Sequence, residues 1–251
     1  VLDHLVVNTK KPPFDNPKVR QALTRAIDRR ALVTAVYQGG ATLGASMVPR
    51  PYGVWGMIEA DLRRLPGYGN PGEEKAETRR VLAEAGFGPG HPLKVEMLTR
   101  NLPAFADVGS FLVGELRRVG IDASLRQVDS SQWYPLQARG EFQIGMDRNG
   151  LEPDDPDANF YEHYACGSSR NYSGYCNESI GQLIDQQSQE LDPAKRRALV
   201  REIQMKLEQA AARPALDWRL DYFTVWPHVK NLVPHHSIYG WGRLQDVWRA
   251  K

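Results

Sequence analysis

The stretch from Leu93 to Leu125 restricts the folds open to this chain more than any other. Leu93-Lys94-Val95-Glu96-Met97 alternates apolar and polar residues, the period of a half-buried strand. From Phe105 to Val119 apolar residues recur at helical spacing as far as Gly120, and Ile121-Asp122-Ala123-Ser124-Leu125 alternates again. Strand, helix and strand with short joints make a βαβ unit. Its strands are parallel, joined by the helical crossover that parallel strands need, and the right-handed twist of strands makes that crossover right-handed. An α/β fold follows, with helices flanking a sheet.

The flanking segments extend that pattern. Leu5 and Val7 alternate as a strand already under way at Val1, as expected of a piece of a larger protein. Pro17 opens a helix with Asp15 or Asn16 as its cap; Val19, Leu23, Ala26, Ile27, Leu32 and Val36 predict one run ending at Gly39-Gly40. Residues 41–72 are rich in Gly and Pro and read as an ordered loop, since they carry aromatics such as Tyr52 and Trp55 that favour burial. A helix over Glu73–Ala85, a shorter one over Ser131–Arg139 and a strand over Phe142–Met146 follow. Asn177 caps a helix running to about Glu190, and Asp192-Pro193 opens another reaching Ala212. Beyond Arg213 the pattern turns strand-like and aromatic, and the shift near residue 215 points to a crossing into another domain.

Composition excludes several functions. With 32 basic and 30 acidic residues spread along the chain, the phosphate-neutralising stripe of a nucleic-acid binder is missing. No apolar run approaches the roughly 20 residues that span a bilayer, so no membrane insertion by this segment is expected. The two cysteines, Cys166 and Cys176, flank a Gly- and Ser-containing loop. Such close spacing predicts a local disulfide and an oxidising compartment, the closed loop contributing about 3 kcal/mol. Gly67-Tyr68-Gly69-Asn70-Pro71-Gly72 matches a nucleotide-binding fingerprint, but no strand precedes it and a proline interrupts it. The acidic run at 152–157 lacks the central glycine of a calcium loop, and His235-His236 has no third ligand nearby. No cofactor is expected.

Several segments carry a resemblance. Asn8-Thr9-Lys10, Phe14-Asp15-Asn16-Pro17-Lys18-Val19-Arg20-Gln21-Ala22-Leu23 and Ala26-Ile27-Asp28-Arg29 together resemble the middle signature of family 5 extracellular solute-binding proteins. Tyr68 to Gly86, Asn171-Tyr172-Ser173-Gly174-Tyr175-Cys176-Asn177 and Asp192-Pro193-Ala194-Lys195-Arg196 agree in order and spacing. The resemblance covers essentially the whole chain and implies a type II periplasmic-binding-protein lobe, a mixed sheet with flanking helices. Residues 1–215 would form most of one lobe, and 216–251 a tail returning to the other. The implied function is the substrate-binding component of an ABC importer, taking peptides or similar charged solutes between two lobes. A membrane permease is the implied partner, the periplasm the location and a monomer the state, with the secretion signal outside this segment.

The resemblance also implies site residues. Arg100, after the Leu93–Met97 strand, matches the arginine that grips a ligand carboxylate, a task suited to a planar guanidinium fork. Glu152, with Asp154 as the alternative, matches the acid that holds the ligand's ammonium group. Asp155 or Asp157 reads as the cap of the next helix, yet four acids in six residues exceed what a cap requires, so Asp157 also counts as a candidate. Trp133 and Trp55 are candidate stacking walls. Two other functions compete: a glycoside or peptide hydrolase using Glu152, Asp154 or Asp157 as acid and base, and a chemosensory interaction module.

Overall fold

The computed structural model describes residues 1–150, 154–233 and 244–250. Strand β1 (Leu2–Val7) is buried along its whole length. Helices α1 (Pro17–Arg25) and α2 (Arg29–Tyr37) occupy the span predicted as one helix. The break has a local cause: Asp28 takes an extended conformation and its carboxylate accepts the Ala31 N–H at 2.9 Å, so it caps a second helix rather than continuing the first. The Gly- and Pro-rich stretch holds the short strand β2 (Ala41–Thr42) and one turn of helix, α3 (Glu59–Leu62).

Helix α4 (Pro71–Glu84) starts at Asn70, whose side chain accepts from Gly72 and Glu73. The predicted βαβ unit is present as β3 (Lys94–Arg100), α5 (Pro103–Arg118) and β4 (Asp122–Val128), with β3 and β4 parallel from Lys94↔Asp122 to Arg100↔Val128. There follow α6 (Ser130–Ala138), β5 (Ile144–Asn149), α7 (Pro156–His163), α8 (Glu178–Gln189), α9 (Pro193–Ala210) and β6 (Ala215–Arg219). The tail adds a short antiparallel pair, β7 (Val229–Lys230) and β8 (Trp248–Arg249).

Six strands form one mixed sheet in the order β2-β6-β1-β5-β3-β4. β6 lies inside it, antiparallel to both β1 and β2, so the chain leaves the sheet after Arg219 and not near 215. Strand alternation sends Leu5, Val7, Val95, Met97, Ile144, Met146 and Leu216 to one face, where they meet α1, α2, α4 and α5. On the other face Val6 and Leu98 pack with Trp133, while Leu2, Ala215 and Trp218 pack under α7, α8 and α9. Both faces are covered, as a sheet with a parallel core requires.

The polar residues of the 8–29 signature are buried ties. Asn8 donates to the Gly140 and Phe142 carbonyls (both 3.1 Å), and Arg20 to those of Ala210 (2.9 Å) and Phe14 (2.7 Å). Arg29, 2% exposed, donates to the carbonyls of Ala215 (2.9 Å), Thr24 and Gly67 (both 3.0 Å) and to the Thr24 hydroxyl (2.6 Å). Gly67 is needed there: its φ is +82°, and an added Cβ would meet the Arg29 guanidinium at 2.4 Å. These residues join α1, α2, the 41–72 loop and β6 into one body.

Candidate ligand-binding site

The parallel strands β3, β4 and β5 end at a common edge, and antiparallel pairing brings the start of β1 there too, with Leu2 opposite Asn149. In open α/β sheets that carboxyl edge is where ligands bind, because loops and helix starts converge on it. Arg100 is the last residue of β3, the strand running three residues beyond the predicted end. Its side chain is 17% exposed and reaches Asp147 Oδ1 (3.3 Å) and the Tyr134 hydroxyl (3.2 Å). The guanidinium lies over the rings of Phe105 (4.6 Å) and Tyr134 (5.3 Å), and its Nε makes no hydrogen bond among the described residues. Tyr134 in turn faces Tyr172 at 6.3 Å between ring centroids. The arginine is therefore positioned by aromatic faces and a single long ionic contact, with donors left to serve.

A second guanidinium, that of Arg148, also lies over Phe105 (4.8 Å). It grips both oxygens of Asp3 and meets the Tyr37 hydroxyl at 3.0 Å, while Tyr37 also donates to Asp3. Asp217 sits opposite Asp3 across the β1–β6 ladder, fully buried. Burial, and then the neighbouring Asp3 charge, push its carboxyl up to about 8, so it is neutral at pH 7. Beneath the edge Arg213 is buried, donating to His4 Nε2 (2.7 Å) and stacking on Tyr164 (5.6 Å). The Asn149 amide oxygen accepts from Arg213 (2.8 Å) and His163 Nε2 (2.9 Å). Burial, with Arg213 nearby, drives His163 down to about 2 and His4 well below its usual value, so both rings are neutral.

Arg100, Arg148 and Arg213 gather here about Asp3 and Asp147, and Asp217 is neutral. Arg100 is the most exposed of the three arginines. The edge suits an anionic group of a bound molecule.

The other expected residues fall elsewhere. Trp133 is not a ligand wall: it is 0% exposed, packed against Val6, Leu98, Val128, Leu136 and Phe142. Its ring fills the space left by Gly145 on β5, where an added Cβ would meet it at 3.2 Å. Trp55 packs under Arg196 (4.8 Å) and donates from Nε1 to the Asp154 carbonyl (2.7 Å), while the Asp154 carboxylate accepts the Val54 N–H (2.8 Å). Both contacts tie the 41–72 loop to the start of α7. Asp155 is the cap of α7, accepting the Asp157 N–H at 2.9 Å, and pairs with Arg196 at 3.0 Å. Asp157 turns toward α8, accepting from Gln187 and from Ser188 (2.7 Å), so its carboxylate serves helix packing. Glu152 and the His235-His236 pair lie outside the described residues. Asp154 and Asp157, the two described acids of the hydrolase alternative, are thus both engaged with neighbouring elements.

Cys166 and Cys176 are joined in a disulfide, as their spacing predicts. The loop it closes carries Tyr172 toward Tyr134 and offers the Ser173 carbonyl to the N–H and hydroxyl of Thr9 (both 2.9 Å), pinning it to the end of β1. Sequence reasoning missed Phe105, Tyr134, Asp147 and Arg148. The signal available for Asp147 and Arg148 was two charges at the end of an apolar strand, where a buried charge needs a partner.

Comparison with known proteins decides the family. Residues 1–171 match the model of the bacterial extracellular solute-binding proteins, family 5 middle region. The chain belongs to family 5. The family 5 chain is 27% identical to the dipeptide-binding protein of Escherichia coli K12, over 94% of its own length and 43% of that protein. It is 24% identical to heme-binding protein A of Haemophilus influenzae, over 97% of its length and 44% of that protein. Among solved structures, OppA of Burkholderia pseudomallei superposes with a TM-score of 0.81 at 22% identity, covering 100% of this chain and 49% of that one. The family 5 chain thus spans about half the length of these relatives, and its fold is that of a type II periplasmic binding protein, a mixed sheet flanked by helices. The curated relatives are binding proteins, and no helix among the described residues is long and apolar enough to cross a membrane.

Proposed function

We propose that this chain is the half of a substrate-binding protein that supplies the carboxylate-binding arginine, and that the whole protein delivers peptides or similar anionic solutes to an ABC importer. The observation that carries the reading is Arg100: it sits at the carboxyl edge of the sheet, stacked on two rings, with one long ionic contact and an Nε that makes no hydrogen bond among the described residues. The dipeptide specificity of one relative agrees with such a site. The ligand lies between this lobe and a second one, and the tail beyond Arg219 returns toward that lobe. Exposed Tyr222, Phe223 and Trp226 in the tail offer apolar surface for that contact. Closure then follows from ligand contacts on both sides, since a ligand shifts an equilibrium only by its differential affinity for the two states. The protein acts as a periplasmic monomer, binds without turnover and docks on a membrane permease. Glu152 is the proposed partner of the ligand's ammonium group, because Asp154 is occupied in holding the 41–72 loop.

Calorimetry on the full-length protein tests this. Losing one partner of a desolvated charge pair costs about 2–5 kcal/mol, so Arg100→Ala weakens peptide binding by well over tenfold. C-terminal amidation of the peptide reproduces that loss in the wild type and adds little in the variant. Equal sensitivity of both proteins to amidation would remove Arg100 from the carboxylate site.

A further inference from the structure

At the opposite end of the sheet from Arg100, a cavity of about 450 Å³ opens between the carboxyl ends of α4 and α5. Its floor is apolar, made by Leu82, Phe87 and Leu93, and its rim carries Arg79, Arg117 and Arg118. No carboxylate lines it among the described residues. Arg118 pairs with Glu115, but Arg79 and Arg117 form no ion pair among the described residues. Arg79 donates to the Arg118 carbonyl (3.3 Å), and Arg117 donates from Nε to the Ala123 carbonyl (2.8 Å). Neither bond uses the whole guanidinium fork. Basic residues in the last turn of α5 complement its dipole, which accounts for Arg117 and Arg118 on that helix. It accounts neither for Arg79, which comes from α4, nor for an open apolar volume between the two helices.

We propose that this cavity is a second ligand site, taking a small carboxylate with an apolar body. The carboxylate meets Arg79 and Arg117 at the rim, and the apolar body displaces water from Leu82, Phe87 and Leu93. The volume is that of an ordinary small-molecule pocket, and the chemistry is one apolar wall with a few convergent donors. The two glycines that line it, Gly88 and Gly120, meet nothing within 4 Å of an added Cβ, so the space beside them is open. The site lies beyond the far end of β3 from Arg100, so it is independent of the peptide site.

Decanoate is the probe, with decanol and decylammonium as controls of the same tail and different charge. Methyl NMR on the full chain reads the Leu82 and Leu93 signals, with Leu98, beside Trp133, as the reference near the peptide edge. At ordinary ligand efficiencies the dissociation constant for decanoate falls between about 10 µM and 1 mM. Saturable shifts at Leu82 and Leu93 but not Leu98, with binding at least tenfold weaker for decanol and decylammonium, support the site. The Arg79→Gln/Arg117→Gln double variant should lose tenfold or more for decanoate while binding decanol as the wild type does. Absence of shifts at Leu82 and Leu93 at about 1 mM decanoate, or equal binding of all three probes, would overturn it.

Discussion

Replacing Arg29 with methionine tests whether the family signature encodes structure. The substitution keeps most of the apolar stem and removes the guanidinium, which makes four hydrogen bonds and lies 4.4 Å over the Tyr68 ring. Three of those bonds end on backbone carbonyls of different segments, the α1 end, the 41–72 loop and β6. Each carbonyl left unpaired costs about 1–3 kcal/mol, while no longer burying a cation returns several. The net loss expected is about 3–5 kcal/mol, comparable to breaking other buried charged groups. In urea that lowers the midpoint by roughly 1 M or more for a chain of this size. Arg29→Lys should recover little of it, since an ammonium cannot serve three separated carbonyls with a planar fork. A methionine variant within about 0.5 kcal/mol of wild type, or full rescue by lysine, would refute the argument that donor geometry holds these segments together.

Other outcomes follow from the same structure. Without reduction the chain's mass should be two hydrogen atoms below the reduced value, and reducing Cys166–Cys176 should cost about 3 kcal/mol of stability; two alkylatable thiols in air-refolded protein would count against the bond. Asp217 at about 8 and Glu208 at about 7 bind protons in the folded state that the unfolded chain releases near its ordinary carboxylate values, so stability falls as pH rises from about 4 to 8. His163 at about 2 and the neutral His4 act oppositely, since the unfolded chain gains their protons below about pH 6.5, and stability falls as pH drops through that window. The urea midpoint should therefore be higher at about pH 6 than at about pH 8.5, and Asp217→Asn should flatten the alkaline limb; a midpoint rising over that interval would contradict the assignment. Trp133→Ala should lose about 3–5 kcal/mol of stability, and a variant of unchanged stability but weaker peptide binding would return Trp133 to the ligand wall. This chain alone should bind peptide far more weakly than the full-length protein; equal affinities would remove the need for a second lobe.

The elements with strong periodicity were legible in the sequence. The 93–125 unit, the helix capped by Asn177 and the one opened by Asp192-Pro193 all lie within a few residues of their expected spans. The break at Asp28 was not, because the apolar spacing of Ala26, Ile27 and Leu32 continues through it while the cap is a side-chain hydrogen bond. At the candidate site, Arg100 was singled out by the family resemblance alone, and it ends β3 at the carboxyl edge of the sheet. Trp133 was misread because a tryptophan in sequence carries no sign of which way it faces; the complementary Gly145 on β5 reveals that only after folding. The acids at 154–157 looked like a binding cluster because cap, loop anchor and helix contact all use the same side chain.

Strand β6 is the last of the six in sequence, yet it fills a slot between β1 and β2, two of the first to be made. Until residue 219 has been synthesised, β1 has one unpaired edge and β2 has no sheet to join. The layer beneath α7, α8 and α9 likewise waits for Ala215 and Trp218. Completion of this sheet thus waits until residue 219 has been made. Pairing across more than 200 residues is slow because a large loop must close before any contact offsets its entropy. A chain cut before Ala215 would keep an open, apolar strand edge, the surface on which chains aggregate.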